Sequence, residues 1–205
     1  MIKNIFKSSR SASFELDNQD IYYAQKTYDV FLNDALALKN VERNVFSLFG
    51  LEPDTSYEVK ILEHRITFKT DTESASLNVK DFGATGDGVH DDTDAIQTAL
   101  LTCPKYGRVY VPAGIYHIRP IFLKSFKTLE ISKDAILLGN IDRKVYPILP
   151  AQLKKHDGSI LELSSWEGVP APTFASIITG IEVEDAKIIG EGIIDENAQN
   201  SDWWT

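Results

Sequence analysis

The sequence predicts an all-β chain of two domains, a small β-sandwich followed by a stack of short parallel strands that one helix covers at its start. Short β-prone runs follow one another over residues 14–71 with turn residues between them and no helical pattern. A single amphipathic pattern begins near Thr93. Strand-like runs then return at close spacing, again without helices between them, which is typical of coiled, repetitive β-structures.

Length and charge limit the possible functions. The 205 residues are 43% hydrophobic and 25% charged, which is ordinary for a globular chain of one large or two small domains. A formal charge of -9 disfavours nonspecific binding to nucleic acid or to an anionic membrane, so neither partner is expected. A site for an anionic polymer would need a local cluster of basic residues. The lone Cys103 excludes an internal disulfide and is expected in the core.

The N-terminus shows no targeting segment. No apolar run approaches the roughly 20 residues that span a bilayer. The first 20 residues lack the apolar core of a secretory signal. A cytoplasmic location is therefore expected, and a secreted or periplasmic one if the N-terminus has been trimmed.

The first domain is predicted from four strand-like runs, at residues 28–32, 45–49, 57–61 and 66–69. Residues 51–57, LEPDTSY, resemble the tyrosine corner of fibronectin type III domains, in which the tyrosine hydroxyl bonds to upstream main chain. Residues 1–72 are thus expected to form a fibronectin type III-like domain that serves as a spacer or docking unit or, as the other interpretation, binds carbohydrate. The small polar residues 70–76, TDTESAS, are the expected linker.

The helix and the loop before it organise the second domain. Residues 83–92 are rich in glycine and aspartate, which supply positive φ angles and bonds to the main chain, so a tightly folded loop is expected. Asp91 and Asp92 are competent N-caps for a helix that begins near Thr93. The apolar face of this helix is formed by Ile96, Ala99, Leu100 and Cys103.

Strands are predicted after this helix at residues 108–111, 115–118, 121–123, 128–131 and 135–138, and the pattern resumes over residues 176–194. Residues 140–172 contain four prolines and are expected to be a long excursion from the stack.

Two motifs resemble known families. NVKDFGATGDGVHDDTDAIQTAL at residues 78–100, followed by RVYVPAGIY from Arg108, resembles the opening of right-handed parallel β-helix proteins of the pectate-lyase and polygalacturonase superfamily. The resemblance implies that residues 77–205 begin such a β-helix and that the helix plugs its N-terminal end. Residues 188–204 resemble the G-x-G-x-I-D-G and Trp-Trp signature of glycoside hydrolase family 28, with Glu196 in place of the last glycine.

The second resemblance implies a pectin-degrading polygalacturonase that hydrolyses α-1,4-galacturonosidic bonds with inversion and needs no cofactor. Its substrate would be polygalacturonate or a pectin oligosaccharide. A fibronectin-like accessory domain occurs in exo-acting members. In this family an aspartic acid protonates the glycosidic oxygen and aspartates on the opposite side activate water.

The catalytic motifs of family 28 do not occur in the sequence in the order or context that the family has. They are Asn-Thr-Asp, Asp-Asp, Gly-His-Gly and Arg-Ile-Lys, and they follow the Trp-Trp pair. The one adjacent aspartate pair, Asp91 and Asp92, lies before the helix and is not assigned a catalytic role. The catalytic residues are therefore expected beyond Thr205, and the chain is expected to be an N-terminal portion that is inactive alone. The alternative is a non-catalytic, polysaccharide-binding β-helix such as a tail-spike-like or adhesin module.

Two groups of residues are candidates for substrate binding. Basic residues in the excursion either bind uronate carboxylates or belong to a solvated loop: Arg143, Lys144, Lys154, Lys155 and His156. Trp203 and Trp204 either stack on sugars or pack in the fold.

No metal site is expected. The aspartates at 87, 91, 92 and 94 lack the spacing of a calcium loop, and turn bonding and helix capping account for them. His64, His90 and His117 have no metal-ligand partners at a recognisable spacing.

Overall fold

A computed structural model describes residues 1–18 and 22–201, which divide into two compact units, Met1–Ser74 and Ala75–Thr205. Both units are built mainly of β-strands. Within the described residues no helix is long and apolar enough to cross a membrane.

The described part of the first unit is a sandwich of two antiparallel sheets with strand orders β1-β2-β5 and β4-β3-β6-β7. Its strands are β1 (Ile2–Lys7), β2 (Ser11–Leu16), β3 (Tyr23–Leu32), β4 (Ala35–Arg43), β5 (Val45–Phe49), β6 (Ser56–Ile61) and β7 (His64–Lys69). Phe14 is fully buried between the sheets, where its ring contacts those of Phe46 and Phe68. The fibronectin type III-like assignment stays a prediction, with which this two-sheet pairing agrees.

The tyrosine corner has the geometry that the motif predicts. The backbone N–H of Glu52 donates to the Tyr57 hydroxyl at 2.9 Å, and the Tyr57 ring stacks on Phe68. Thr70 belongs to this unit as well, because it is buried and its hydroxyl donates to the carbonyl of Glu52. The segment that joins the two units is therefore shorter than the linker predicted at residues 70–76.

Removing the Tyr57 hydroxyl tests this corner. We expect Tyr57→Phe to destabilise the first unit by about 1 kcal/mol, the usual net contribution of one hydrogen bond. Urea unfolding followed by circular dichroism measures the loss. The matched control is Tyr22→Phe, because the Tyr22 side chain is 68% exposed. Equal stability of the two variants would show that the bond does not hold the corner.

The second unit is a parallel β-helix interrupted by one excursion. Three of its sheets are parallel, with strand orders β8-β10-β13-β22, β9-β11-β14-β23 and β12-β21. The strands of these sheets are β8 (Ser76–Asn78), β9 (Asp87–Asp91), β10 (Arg108–Val111), β11 (Gly114–Ile118), β12 (Ile121–Phe122), β13 (Thr128–Ile131), β14 (Ala135–Gly139), β21 (Ile178–Thr179), β22 (Lys187–Gly190) and β23 (Ile193–Asp195). The strands predicted between residues 108 and 138 are all present.

Side chains stack in ladders from one coil to the next. In the first parallel sheet Leu77, Val109, Leu129 and Ile188 occupy the same register position. Val109 is fully buried, whereas Ile188 on β22, the outermost described strand of this sheet, is 43% exposed. Each coil therefore obtains its apolar contacts mainly from the coils beside it.

The helix α1 (Thr93–Thr102) covers the start of this stack. Ile96, Ala99 and Leu100 are buried, and Cys103 just after the helix is buried with them. They share a core with Val109 and other strand residues. The predicted apolar face is confirmed.

The prediction of a loop over the whole of residues 83–92 is wrong. Asp87–Asp91 form β9, whose residues Asp87 and Asp91 pair with Ile115 and His117 of β11. Glycine and aspartate are poor strand formers, so the local sequence hides this strand. Pairing with the neighbouring coil overrides the local preference.

The excursion between β14 and β21 is folded into antiparallel pairs. Its strands are β15 (Ile148–Leu149), β16 (Gln152–Lys154), β17 (Ile160–Glu162), β18 (Ser165–Trp166), β19 (Val169–Pro170) and β20 (Thr173–Phe174). β15 pairs with β20 at the base, and β16-β17 and β18-β19 form hairpins further out. The sequence predicts the excursion but not these strands.

Candidate functional site

The excursion meets the β-helix at a tight turn after β23. Asn197 is in the left-handed conformation (φ 57°), and its N–H donates to the Asp195 carboxylate. A Cβ on Gly139 would lie 2.7 Å from the Glu196 carbonyl oxygen, so glycine is needed there for close approach. The left-handed residue is Asn197 rather than Glu196, which explains how this turn accepts a glutamate at the position where the family signature has glycine.

Tyr146 forms one wall of a cleft beside this turn. A short 3-10 turn, Arg143–Val145, precedes it, and Asp142 caps that turn by accepting from the N–H of Lys144. Tyr146 is 7% exposed. Burial raises the pKa of its hydroxyl, and the nearby Glu196 carboxylate raises it further. The hydroxyl therefore stays protonated at neutral pH and can donate a hydrogen bond.

The opposite wall comes from the returning end of the excursion. The N–H of Ala175 donates to the carbonyl of Pro147 at 2.8 Å, and Ile148 pairs with Phe174. These contacts hold the two ends of the excursion together. The cleft between the walls has a volume of about 310 Å³, and its described lining residues are Tyr146, Phe174, Ala175, Ser176, Ile177, Glu196 and Ala198.

This lining suits a sugar. Apolar and aromatic surfaces pack against the C–H face of a pyranose ring, while a carboxylate and hydroxyls bond its hydroxyl groups. Phe174 is one of these lining residues and is 40% exposed.

The predicted basic residues lie on different elements of the excursion. Lys155 pairs with Glu182, and Lys154 is exposed on the β16-β17 hairpin. Arg143 and Lys144 lie in the 3-10 turn directly before Tyr146, so these two adjoin a wall of the cleft. His156 is exposed in the turn between β16 and β17. Trp203 and Trp204 lie outside the described residues. The roles of all these residues in binding stay predictions.

The acidic residues around β9 have structural partners. The buried Asp92 carboxylate accepts from the Thr85 N–H, the Thr85 hydroxyl and the Gly86 N–H. The Asp91 carboxylate accepts from the Thr93 N–H, so Asp91 rather than Asp92 caps the helix with its side chain.

Two carboxyl groups in this region have lowered pKa values. N–H groups of His90 and Val89 lower the pKa of Asp87 well below its usual range. Burial raises the pKa of Asp91, but bonds from Thr93 and Arg119 outweigh it and give a net lowering. The described residues contain no group of three His, Cys, Asp or Glu side chains arranged to hold a metal ion.

The sequence analysis does not single out Phe174 as a lining residue and identifies Glu196 only as a departure from a glycine. Tyr146 and Glu196 are 50 positions apart in the sequence, and the turn at Gly139 and the folded excursion bring them together. The glutamate at position 196, where the family signature has glycine, is the local feature of the sequence that could have pointed to this cleft.

Comparison with known proteins supports the sequence resemblance. Residues 76–152 match the family described as rhamnogalacturonase A/epimerase, pectate lyase-like. An exo-poly-alpha-D-galacturonosidase of Dickeya chrysanthemi is 32% identical over 163 residues, which are 72% of this chain and 26% of that protein. The chain is polygalacturonase-like. The resemblance to family 28 and its superfamily is thereby confirmed.

Two further comparisons concern the fold of the polygalacturonase-like chain and a second relative. The structure of a family 28 exopolygalacturonase of Yersinia enterocolitica has a TM-score of 0.65 at 24% identity, covering 96% of this chain and 40% of that one, and it confirms the fold. The plasmin and fibronectin-binding protein A of Streptococcus pneumoniae is 38% identical over 120 residues, 56% of this chain and 17% of that protein. The chain thus spans about a sixth to a quarter of the length of these curated relatives.

Proposed function

We propose that this chain is part of a pectin-degrading glycoside hydrolase that cleaves α-1,4-galacturonosidic bonds with inversion, acting from the chain end. The observation that carries the proposal is the similarity to an exo-poly-alpha-D-galacturonosidase over 72% of the chain. The cleft beside Tyr146 supplies a surface with the chemistry for binding a sugar.

We propose that the described residues bind the substrate without cleaving it. Inverting hydrolysis needs two carboxyl groups roughly 6.5–9.5 Å apart on opposite sides of the bond. Among the described residues that line the cleft, Glu196 is the single carboxylate. Asp91 and Asp92 are already bonded to Thr93, Thr85 and Gly86 and serve the fold.

Two assays on the 205-residue chain test this function. Affinity electrophoresis in gels that contain polygalacturonate, partly methyl-esterified pectin or dextran measures binding, and dextran serves as the neutral control polymer. A reducing-sugar assay on the two uronide polymers measures cleavage. We expect retardation by the uronide polymers alone and no release of reducing sugar.

The outcomes separate the hypotheses. Release of reducing sugar would contradict the proposal that these residues only bind. The same mobility in all three gels would contradict a pectin-related function. It would favour the alternative of a non-catalytic binding β-helix, for which the similarity to a streptococcal plasmin and fibronectin-binding protein is the supporting observation.

A further inference from the structure

Two aromatic residues in the turns before the first parallel sheet have a strained backbone. Tyr106 (φ 63°) and Phe126 (φ 60°) are in the left-handed conformation, which glycine adopts readily and bulky residues do not. They lie two positions before Arg108 and Thr128, which are register partners on β10 and β13. The equivalent residue before β22 is Asp185, which is also left-handed (φ 48°) and belongs to a type that tolerates this conformation. The turn itself therefore does not require an aromatic side chain.

Main-chain hydrogen bonds between the coils hold the two strained residues. The N–H of Tyr106 donates to the carbonyl of Phe126 at 2.6 Å, and the N–H of Phe126 donates to the carbonyl of Glu184 at 2.8 Å. The two rings meet edge to face with their centroids 5.8 Å apart. Tyr106 is nevertheless 48% exposed, so its ring contributes little to the core. Backbone strain at an exposed aromatic residue indicates a binding site. We call the two turns the aromatic corner, which consists of residues 103–107 and 123–127.

Positive charge surrounds these rings. The Nζ of Lys105 lies 3.9 Å from the centroid of the Phe126 ring and 4.9 Å from that of Tyr106. Lys124 is exposed in the second turn. The neighbouring turn before β22 adds the exposed Glu184. In a chain with a formal charge of -9, the aromatic corner has no acidic residue and three lysines, which are Lys105, Lys124 and Lys127. The corner thus combines an exposed aromatic ring with a local excess of positive charge.

This chemistry fits a uronide polymer. An aromatic ring packs against the C–H face of a pyranose, and an ammonium group pairs with a uronate carboxylate. We propose that the aromatic corner binds a galacturonate unit of polygalacturonate, with Tyr106 as the platform for the ring and Lys124 as the partner of the carboxylate. Neither residue is among the described residues that line the cleft beside Tyr146, so the corner is a second contact for the polymer. The inference rests on the proposed function, because it takes polygalacturonate as the ligand, and it deepens that function by adding this contact.

Affinity electrophoresis of three variants in gels that contain polygalacturonate tests the inference. We expect Tyr106→Gly to weaken the apparent affinity about fivefold, because the variant lacks the aromatic platform. Lys124→Gln should weaken it about threefold, since an exposed ion pair contributes modestly. The matched control is Lys133→Gln, which removes the same charge from the exposed turn between β13 and β14, outside the corner. It should bind as the original chain does.

Urea unfolding of the same variants separates binding from folding. Glycine adopts the left-handed angle of Tyr106 without strain, which offsets the loss of a half-exposed ring, so the midpoint of Tyr106→Gly should stay close to that of the original chain. A fall of more than about 0.5 M urea together with the lost affinity would show that Tyr106 serves the fold and would contradict the inference.

The binding results also distinguish this inference from the proposed function. If the original chain binds polygalacturonate and Tyr106→Gly and Lys124→Gln bind it equally well, the corner is refuted and the proposed function stands. If the original chain does not bind polygalacturonate, both fail.

Discussion

Replacing Gly190 by alanine is expected to destabilise the second unit by about 4 kcal/mol, since it combines backbone strain with overpacking. Gly190 has a φ of 115°, and a Cβ there would lie 1.9 Å from the carbonyl oxygen of Ile131 on the neighbouring strand. Main chain rather than a flexible side chain is in the way, so β22 would have to leave its place in the ladder.

Urea unfolding followed by tryptophan fluorescence measures this effect in the second unit, because the three tryptophans lie at positions 166, 203 and 204. A loss of about 4 kcal/mol corresponds to a shift of the midpoint by about 2 M urea. The matched control is Gly158→Ala, at a hairpin tip with a φ of 84° and nothing within 4 Å of the added Cβ. Only the strain of the left-handed φ angle acts at this position, so we expect Gly158→Ala to lower the free energy of unfolding by about 1 kcal/mol. Equal losses in the two variants would contradict the packing of β22 against Ile131.

Replacing Asp92 by alanine is expected to lower the free energy of unfolding of the second unit by about 3 kcal/mol. Asp92 is 2% exposed, and its carboxylate accepts at 2.6 Å from the Thr85 N–H and at 2.9 Å from the Gly86 N–H. Alanine removes the charged acceptor of both N–H groups, and hydrogen bonds to a charged group contribute more than neutral ones. The strand β9 follows this loop, so its pairing with β11 should weaken as well.

Asp94→Ala is the control for Asp92→Ala. The Asp94 side chain is 91% exposed and pairs with Arg119 at 3.0 Å. Exposed ion pairs contribute less than about 1 kcal/mol. Amide hydrogen exchange at Thr85 and Gly86 should become faster in Asp92→Ala and stay unchanged in Asp94→Ala. Unchanged exchange in both variants would show that the carboxylate does not hold the loop.

Much of the second unit is predictable because its signals are local. The apolar positions of α1 recur at helical spacing, and the strands after it are runs of β-branched and aromatic residues such as Arg108–Val111. The strand Asp87–Asp91 is not predictable in this way, because its residues favour turns and only the pairing with β11 makes it extended.

The cleft depends on contacts between distant parts of the chain. A glycine at 139, a left-handed asparagine at 197 and the paired base of the excursion together place Glu196 beside Tyr146. The residues that form these features can be read in the sequence, but nothing local shows that they meet. The basic residues of the excursion, such as Lys144 in the 3-10 turn and Lys155 beside Glu182, stay a predicted site.

The base of the excursion has a consequence for how such a chain can diversify. Ile148 and Phe174 are paired across the base, so the segment between them begins and ends at nearly the same point in space. The parallel partners β12 and β21 close the coil behind it. The entropy of loop closure changes only slowly with loop length. Hairpins of other lengths and sequences can therefore be grafted onto this base, which lets the outer surface of the excursion vary while the stacked coils keep their register.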